Sequence, residues 1–209
     1  MPGHGFHSIM RSDMEVDIRW YGQTCFQLEG RNSISIVTDP YPPDVGLIPP
    51  RLRADIVTVS HHSGECDYLS PIQGSFKLLD GPGEYEISGV FITGVSTFAD
   101  DKGGRERGLN TVFAFDFDGT TICHLGLVGH VPTQSQVKNL GSVNVLLVPV
   151  GGGGSLTSAQ ASEVIGLFEP DVVVPMRYQV PGLQETLDGV DHFLKEMGME
   201  GVDGEQTLR

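Results

Sequence analysis

Two histidines, a glutamate and a cysteine fall within six positions of one another in the segment SHHSGECD at residues 60–67. The segment follows an apolar, β-branched run at residues 56–59, which is typical of a buried strand. Imidazole nitrogens, a thiolate and a carboxylate oxygen are all ligands that zinc accepts. A rigid strand before the loop positions such groups better than a loop alone. The pattern therefore predicts a polar or metal-binding cluster at the C-terminal end of this strand.

Two interpretations of this cluster stay open. In the first, His61, Glu65 and Cys66 hold a single zinc ion with water in an open coordination position. In the second, the same polar side chains form hydrogen bonds at the mouth of a pocket. Three neighbouring ligands from one loop, without a distant fourth, favour the second interpretation. The expected cofactor content is therefore none or one zinc ion.

The first part of the chain, which must position this loop, is rich in strand signals. Short apolar or alternating runs predict strands at residues 16–20, 25–28, 34–38, 55–59, 76–79, 85–87, 90–95, 111–117 and 121–125. The Asp118-Gly119 pair predicts a hairpin between the last two of these strands.

In the second part of the chain the hydrophobic pattern changes from the alternation of strands to the period of helices. Two Thr-x-x-Gln patterns, at residues 133–136 and 157–160, are capping boxes that predict helices to about residues 141 and 168. A third helix is predicted at residues 190–197, and strands at residues 143–150 and 171–175. This order of elements predicts a mixed α/β (α+β) protein with two sheets sandwiched between helices.

Composition and charge narrow the classes of partner. The chain of 209 residues suits one domain, which we place at residues 14–209 after a mobile extension at residues 1–13. A net charge of −14 disfavours nucleic acid and an anionic membrane surface as partners. No run of about 18 apolar residues predicts a membrane span. Three scattered cysteines, Cys25, Cys66 and Cys123, are typical of a reducing cytoplasm.

A series of short motifs carries a family resemblance over about residues 16–178. The motifs are WYGQTCF at 20–26, DP at 39–40, GPGEYE at 81–86, CHLG at 123–126, GH at 129–130, PVGGG at 149–153 and PMRY at 175–178. In this order they resemble the lactonase-like branch of the metallo-β-lactamase superfamily, the branch of ascorbate-6-phosphate lactonase. The resemblance implies an αββα sandwich of two mixed sheets. It also implies hydrolysis by a zinc or manganese pair, whose bridging water attacks a carbonyl or phosphoryl centre.

The same resemblance places the family's metal-ligand positions on one histidine and six other side chains. These are His61, Ser63, Glu65, Cys66, Ala99, Leu127 and Arg177. Alanine and leucine cannot coordinate a metal, and Leu127 stands where the bridging carboxylate is expected. Arg177 puts a permanent cation where a second metal ion would lie. A dinuclear zinc or manganese centre is therefore not expected.

Other residues near this pocket suggest ligand binding. Arg177 can clamp a carboxylate or phosphate. The glycine loop at residues 151–154 leads into a helix whose N-terminal amides attract anions, so Gly152 and Gly153 are candidate ligand-binding positions. The alternative for this loop is a plain strand-to-helix turn. His130, at a position that matches the family, is the candidate catalytic acid or base, whereas His124 among apolar residues predicts a structural hydrogen bond.

Two functions follow from these observations. The first is a metallo-β-lactamase-fold protein that has lost its dinuclear site and binds a small anionic ligand or a protein partner. The second is an active hydrolase of a small ester, lactone or phosphate ester that uses a reduced, mononuclear metal site. The oligomeric state stays open, with a homo-oligomer included.

Overall fold

The structure is a computed structural model that describes residues 16–30, 33–199 and 207–208. The predicted extension at residues 1–13 lies outside the described residues. In the described part, one sheet contains the strands Val16–Gly22 (β1), Cys25–Gly30 (β2), Ser35–Thr38 (β3), Ile56–Thr58 (β4), Lys77–Leu79 (β5) and Thr207–Leu208 (β12). The second sheet contains Gly83–Ile87 (β6), Val90–Phe98 (β7), Leu109–Phe117 (β8), Thr120–His124 (β9), Val145–Pro149 (β10) and Val172–Met176 (β11).

Both sheets are mixed, as predicted. The strand order is β12-β1-β2-β3-β4-β5 in the first sheet and β11-β10-β9-β8-β7-β6 in the second. In the first sheet β3, β4 and β5 run parallel, and β1 and β2 pair antiparallel. In the second sheet β9, β10 and β11 run parallel, so that their C-terminal ends meet at one edge.

Three α-helices accompany the sheets in the described residues: Gln134–Leu140 (α1), Ser158–Phe168 (α2) and Val190–Glu196 (α3). A short 3-10 helix spans Pro43–Val45. Both predicted capping boxes form, because the Thr133 and Thr157 hydroxyls each accept from the backbone N–H three residues later. α1 contacts β7, and α2 contacts both β10 and α3. None of these helices is long and apolar enough to cross a membrane.

The main core lies between the two sheets. Alternating side chains of the first sheet, such as Phe26, Leu28 and Ile36, point into it and meet Phe113 and Phe115 of β8. The opposite face of the first sheet is covered by a smaller apolar cluster. This cluster comprises Cys25, Val37, Tyr41, Leu52, Ala54, Val57 and Ile72. The architecture confirms the predicted sandwich, with loop residues covering the first sheet on its outer side.

Most strand predictions differ from the observed strands only at their ends. β8 begins at Leu109 rather than at residue 111, and β7 continues to Phe98 rather than ending at residue 95. The strand Thr207–Leu208 was not predicted, since two residues carry no alternating pattern. It pairs with β1 through Ile18 and Leu208. These shifts leave the positions of the candidate site residues unchanged.

Candidate functional site

A cavity of about 350 Å³ opens at the edge where several strands end. β4 leads into the 60–67 loop, β9 leads to Leu127, and β11 ends directly before Arg177. The lining residues are Gln23, Thr24, Asp44, Val45, Ser63, Gly64, Glu65, Cys66, Leu127, Arg177, Gln184 and Glu185. The structure therefore brings Glu65, Cys66 and Arg177 of the predicted site residues to one cavity.

Arg177 is the largest fully buried side chain of the described residues, with only 1% of its surface exposed. Its backbone is fixed on both sides, since its N–H donates to Gln23 O at 3.1 Å and its carbonyl accepts from Gly151 N at 3.1 Å. Its backbone adopts the left-handed conformation, with φ of 49°. β11 and the turn after β1 together direct this side chain to the cavity wall.

The guanidinium of Arg177 already has acceptors within the protein. Nη1 donates to Gly152 O at 3.1 Å, and Nη2 donates to both carboxylate oxygens of Glu185 at 2.9 Å. Glu65 Oε2 lies 3.6 Å from Nη2. A buried cation without such partners would be strongly unfavourable, so Glu185 compensates the charge of Arg177. This pairing weighs against the prediction that Arg177 is a free clamp for an anion.

A second arginine reaches the same region from the loop between β7 and β8. Arg107 Nη1 donates to Gly153 O at 2.7 Å, and Arg107 Nη2 lies 4.0 Å from Glu65 Oε2. Asp100 organises this loop, because its carboxylate accepts from four backbone N–H groups. The donors are those of Lys102, Gly104, Glu106 and Arg107. These bonds hold the pKa of Asp100 well below its usual range, so the carboxylate that positions Arg107 is charged.

The glycine loop presents carbonyl oxygens to the two arginines. Gly152 and Gly153 direct their carbonyl oxygens at Arg177 and Arg107, and the Gly152 N–H donates to Leu156 O at 3.0 Å. Both glycines have positive φ, 70° and 62°, which favours glycine. The prediction of an anion site at Gly152 and Gly153 therefore gains no support from these contacts and stays a prediction. The loop is a turn that supplies carbonyl acceptors to two cations.

The three side chains predicted to hold a zinc ion have separate partners. His61 Nδ1 donates to Leu109 O at 2.7 Å, and Cys66 Sγ donates to His61 O at 3.0 Å. Burial raises the pKa of the Cys66 thiol well above its usual value. Glu65 instead faces Arg177 and Arg107. These positions match the second interpretation, polar contacts at the pocket mouth, better than a set of ligands that bind one zinc ion.

The residues present do not fit a metal pair. In the part of the chain that the structure describes, no three His, Cys, Asp or Glu side chains are grouped so that they could hold a metal ion. At the cavity wall Leu127 offers no donor atom, and Arg177 offers only a cation. The donor chemistry of this cavity is therefore that of a polar pocket with an internal ion pair.

Asp39 and His124 form a buried polar pair that was not predicted as a pair from the sequence. Asp39 accepts from Ser60 N at 2.7 Å and from Ser60 Oγ at 2.6 Å, which anchors the start of the 60–67 loop. His124 Nε2 donates to Thr24 O at 2.9 Å and lies 4.0 Å from Asp39 Oδ2. Burial raises the pKa of Asp39 and lowers the pKa of His124, so both are shifted toward the neutral form. The predicted structural hydrogen bond of His124 is confirmed.

His130 lies outside the cavity lining. Its Nε2 accepts from Phe98 N at 3.2 Å, and its Nδ1 donates to Val131 O at 2.9 Å. Its ring also packs on that of Phe98, with centroids 5.6 Å apart. Because both ring nitrogens are engaged with backbone groups, the geometry supports a structural position. The catalytic role of His130 stays a prediction without support from these contacts.

Three further cavity residues, Gln23, Asp44 and Glu185, were not singled out from the sequence. Gln23 lies in a turn, Glu185 in an irregular loop and Asp44 in a 3-10 helix of three residues. No periodic pattern directs attention to a side chain in such segments. The only sequence signal for Gln23 was its place in the opening WYGQTCF motif. Its amide Oε1 is buried and has no hydrogen-bond partner among the described residues.

Comparison with known proteins finds relatives that are described as metal-dependent hydrolases. A Thermotoga maritima crystal structure, assigned to the Zn-dependent hydrolases of the metallo-β-lactamase superfamily, is 41% identical. It covers 86% of this chain and 84% of its own, with a TM-score of 0.73. A UPF0173 metal-dependent hydrolase of Thermoplasma acidophilum is 26% identical over 190 residues, 78% of this chain and 83% of that protein.

A third similarity concerns the fold alone. A metallo hydrolase from Ignicoccus hospitalis is 17% identical, with a TM-score of 0.68 over 92% of this chain and 97% of that one. The family model of the β-lactamase superfamily domain matches residues 17–177, which is more than half of the chain and includes both sheets up to Arg177. With two mixed sheets and metal-dependent hydrolases among its relatives, this chain belongs to the metallo-β-lactamase superfamily.

Proposed function

We propose that this chain is a small-molecule-binding member of the superfamily that does not carry out two-metal hydrolysis. The observation that carries the proposal is the buried guanidinium of Arg177 in the cavity wall, paired with Glu185 and with Gly152 O. A permanent cation at this position repels a divalent ion, since arginine does not deprotonate in proteins. The carboxylate partner is already engaged, so it is not free to act as a metal ligand.

The shape of the cavity supports a small ligand. Its volume of about 350 Å³ lies within the range of small-molecule pockets, about 300–1,000 Å³. A concave pocket of this kind favours a small molecule over a flat protein surface. Of the two functions suggested by the sequence, we therefore retain the first, that of a binding protein, and prefer a small molecule to a protein as its ligand.

The names of the relatives favour a second function. Several are called metal-dependent hydrolases. The second candidate is therefore the hydrolase suggested by the sequence, which would act on a small ester, lactone or phosphate ester with a single metal. That function requires His61, Glu65 and Cys66 to leave their present partners and converge on one ion. It therefore needs a rearrangement of the 60–67 loop, which the binding function does not.

Metal content separates these functions. Untagged protein would be incubated with zinc or manganese, desalted and analysed for metal per chain, with circular dichroism as the check of folding. Folded protein with less than about 0.1 ion per chain is the result we expect. About two ions per chain would overturn the proposal. About one zinc ion, lost in Cys66→Ala together with hydrolase activity, would replace it with the mononuclear enzyme.

A further inference from the structure

We propose that Arg107 and Arg177 together form a binding position for the carboxylate group of a small ligand, and that the Glu65 side chain fills this position in the free protein. The ligand binds by displacing Glu65. This inference rests on the proposed function, because it treats the cavity as a ligand pocket rather than a metal centre. It moves the anion expected from the sequence away from the amides of the glycine loop and onto two arginine side chains.

The glycine loop holds the two guanidinium groups near each other. Arg177 Nη1 donates to Gly152 O at 3.1 Å, and Arg107 Nη1 donates to the adjacent carbonyl, Gly153 O, at 2.7 Å. A Cβ atom at Gly154 would overlap Arg107 Nη1, so this position of the guanidinium requires a glycine. Two cations held on neighbouring carbonyls repel each other, and an anion that faces both offsets this repulsion.

Both arginines face the same carboxylate oxygen, Glu65 Oε2. This oxygen lies 3.6 Å from Arg177 Nη2 and 4.0 Å from Arg107 Nη2. Both distances exceed that of a hydrogen bond, so Glu65 balances the charges without bonding to either guanidinium. By contrast, both carboxylate oxygens of Glu185 accept from Arg177 Nη2 at 2.9 Å. Glu65 is therefore the more weakly held of the two carboxylates and the one that a ligand can replace.

Arg107 supplies the open hydrogen-bond donors of this position. Its Nη2 forms no hydrogen bond among the described residues, and its side chain is 25% exposed. Its backbone is fixed, because Arg107 N donates to Asp100 Oδ2 at 2.7 Å. Arg177 is held by Glu185 and contributes mainly its charge. A ligand carboxylate can therefore accept a charge-assisted hydrogen bond from Arg107 while Arg177 stabilises it electrostatically.

The 64–66 segment allows the Glu65 side chain to leave. This side chain is 46% exposed, so water can take up its carboxylate. Gly64 before it has φ of 77° and open space at its Cβ position. Cys66 after it is buried and donates from Sγ to His61 O at 3.0 Å. Rotation of one side chain between an open and an anchored residue therefore uncovers the position without moving the rest of the loop.

The charge balance favours a carboxylate ligand. The two carboxylates Glu65 and Glu185 match the two guanidinium groups of Arg107 and Arg177. When Glu65 leaves, one positive charge loses its partner, and a ligand carboxylate restores the balance where a neutral or cationic group cannot. Asp44 also lines the cavity but pairs with neither arginine, so it does not replace Glu65.

The test is titration calorimetry at pH 7 on chelator-treated, desalted protein with three probes of similar length. Succinate is the carboxylate probe, 1,4-butanediol the neutral one and 1,4-diaminobutane the cationic one. Glu65→Gln removes the internal competitor, which acts at a high effective concentration because it is tethered. We expect this variant to bind succinate about tenfold more tightly than the wild-type protein. Adding Arg107→Met to Glu65→Gln should weaken succinate binding by at least about tenfold, and the other two probes should give no heat.

Two matched controls separate a local effect from an effect of net charge. Glu163→Gln removes one exposed carboxylate from α2 and should bind succinate like wild type. Arg105→Met removes an exposed cation from the same loop as Arg107, and in the Glu65→Gln background it should leave succinate binding unchanged. Circular dichroism checks the folding of every variant.

Each outcome decides the inference. Absence of succinate binding would overturn it, as would a Glu65→Gln protein that binds succinate no more tightly than Glu163→Gln. Equal losses on Arg107→Met and Arg105→Met would also overturn it, because the anion would then report only overall charge. If Arg107→Met does not fold, the comparison of Glu65→Gln with Glu163→Gln still decides.

The metal content of protein loaded with zinc or manganese separates the two proposals. Protein that takes up no metal and also fails to bind succinate refutes the carboxylate position alone. Two bound metal ions per chain refute the proposed function itself.

Discussion

Removing the carboxylate of Glu185 should destabilise the protein measurably. Glu185→Ala takes away both acceptors of Arg177 Nη2 and leaves a guanidinium that is 99% buried without its main counter-charge. Breaking a buried ion pair from one side costs about 3–5 kcal/mol. The value here is smaller, because the Glu185 side chain is 33% exposed and Glu65 lies 3.6 Å away as a substitute. We expect a loss of about 2 kcal/mol in the free energy of unfolding.

Urea unfolding and thermal melting measure this loss. For a chain of this size, about 2 kcal/mol corresponds to a decrease in Tm of roughly 4–8 °C. Glu163→Ala on the exposed face of α2 is the control and should change the free energy of unfolding by less than about 0.5 kcal/mol. The double variant Glu185→Ala with Arg177→Met should recover part of the loss, since it removes the uncompensated charge. A Glu185→Ala protein as stable as the control would refute the view that this pair holds the cavity wall.

Three other results are expected. Gly153→Ala should destabilise the protein by about 1–3 kcal/mol in urea unfolding. Residue 153 has φ of 62°, and a Cβ there would lie 2.7 Å from Glu185 Oε1. Unchanged stability would contradict the turn described here. Hydrogen bonds lower the pKa of Asp100 below its unfolded value, so its contribution to stability is present above about pH 4 and is lost as pH falls further. Asp100→Asn should therefore flatten the acid side of a stability-against-pH curve, and an unaltered curve would count against it. The three buried cysteines should be unreactive toward Ellman's reagent at pH 8 in the folded protein and fully reactive in denaturant. A fast-reacting thiol in the folded state would contradict the burial of at least one of them.

Local signals made the elements of this fold predictable. The Thr133 and Thr157 capping boxes need only four consecutive residues, and both form as predicted. The apolar run before the 60–67 loop is a strand because β-branched side chains suit a buried sheet. By contrast Thr207–Leu208 depends on pairing with β1, which lies almost two hundred residues earlier, and no local pattern reports that contact.

The candidate site was predictable in position more than in chemistry. The order of motifs placed Arg177 at the cavity, and it lines the cavity. Its counter-ion Glu185 lies in an irregular loop, where composition does not say which way a side chain points. Gly152 and Gly153 have positive φ, which rotates their peptide planes, so carbonyls face the arginines where amides were expected. Peptide orientation in a glycine loop depends on what surrounds it rather than on the loop sequence.

The cavity wall therefore depends on several residues that act together. Arg177 needs Glu185 as its counter-charge and the carbonyl of Gly152 as a further acceptor, and Gly153 must lack a side chain for Glu185 to reach its place. Replacing Arg177 alone with histidine removes the cation but leaves Leu127 without a donor atom at the cavity wall. A single substitution at Arg177 is thus insufficient to build a metal pair. Because these residues depend on one another, a substitution at Glu185 should change the stability of the protein before it changes any catalytic activity.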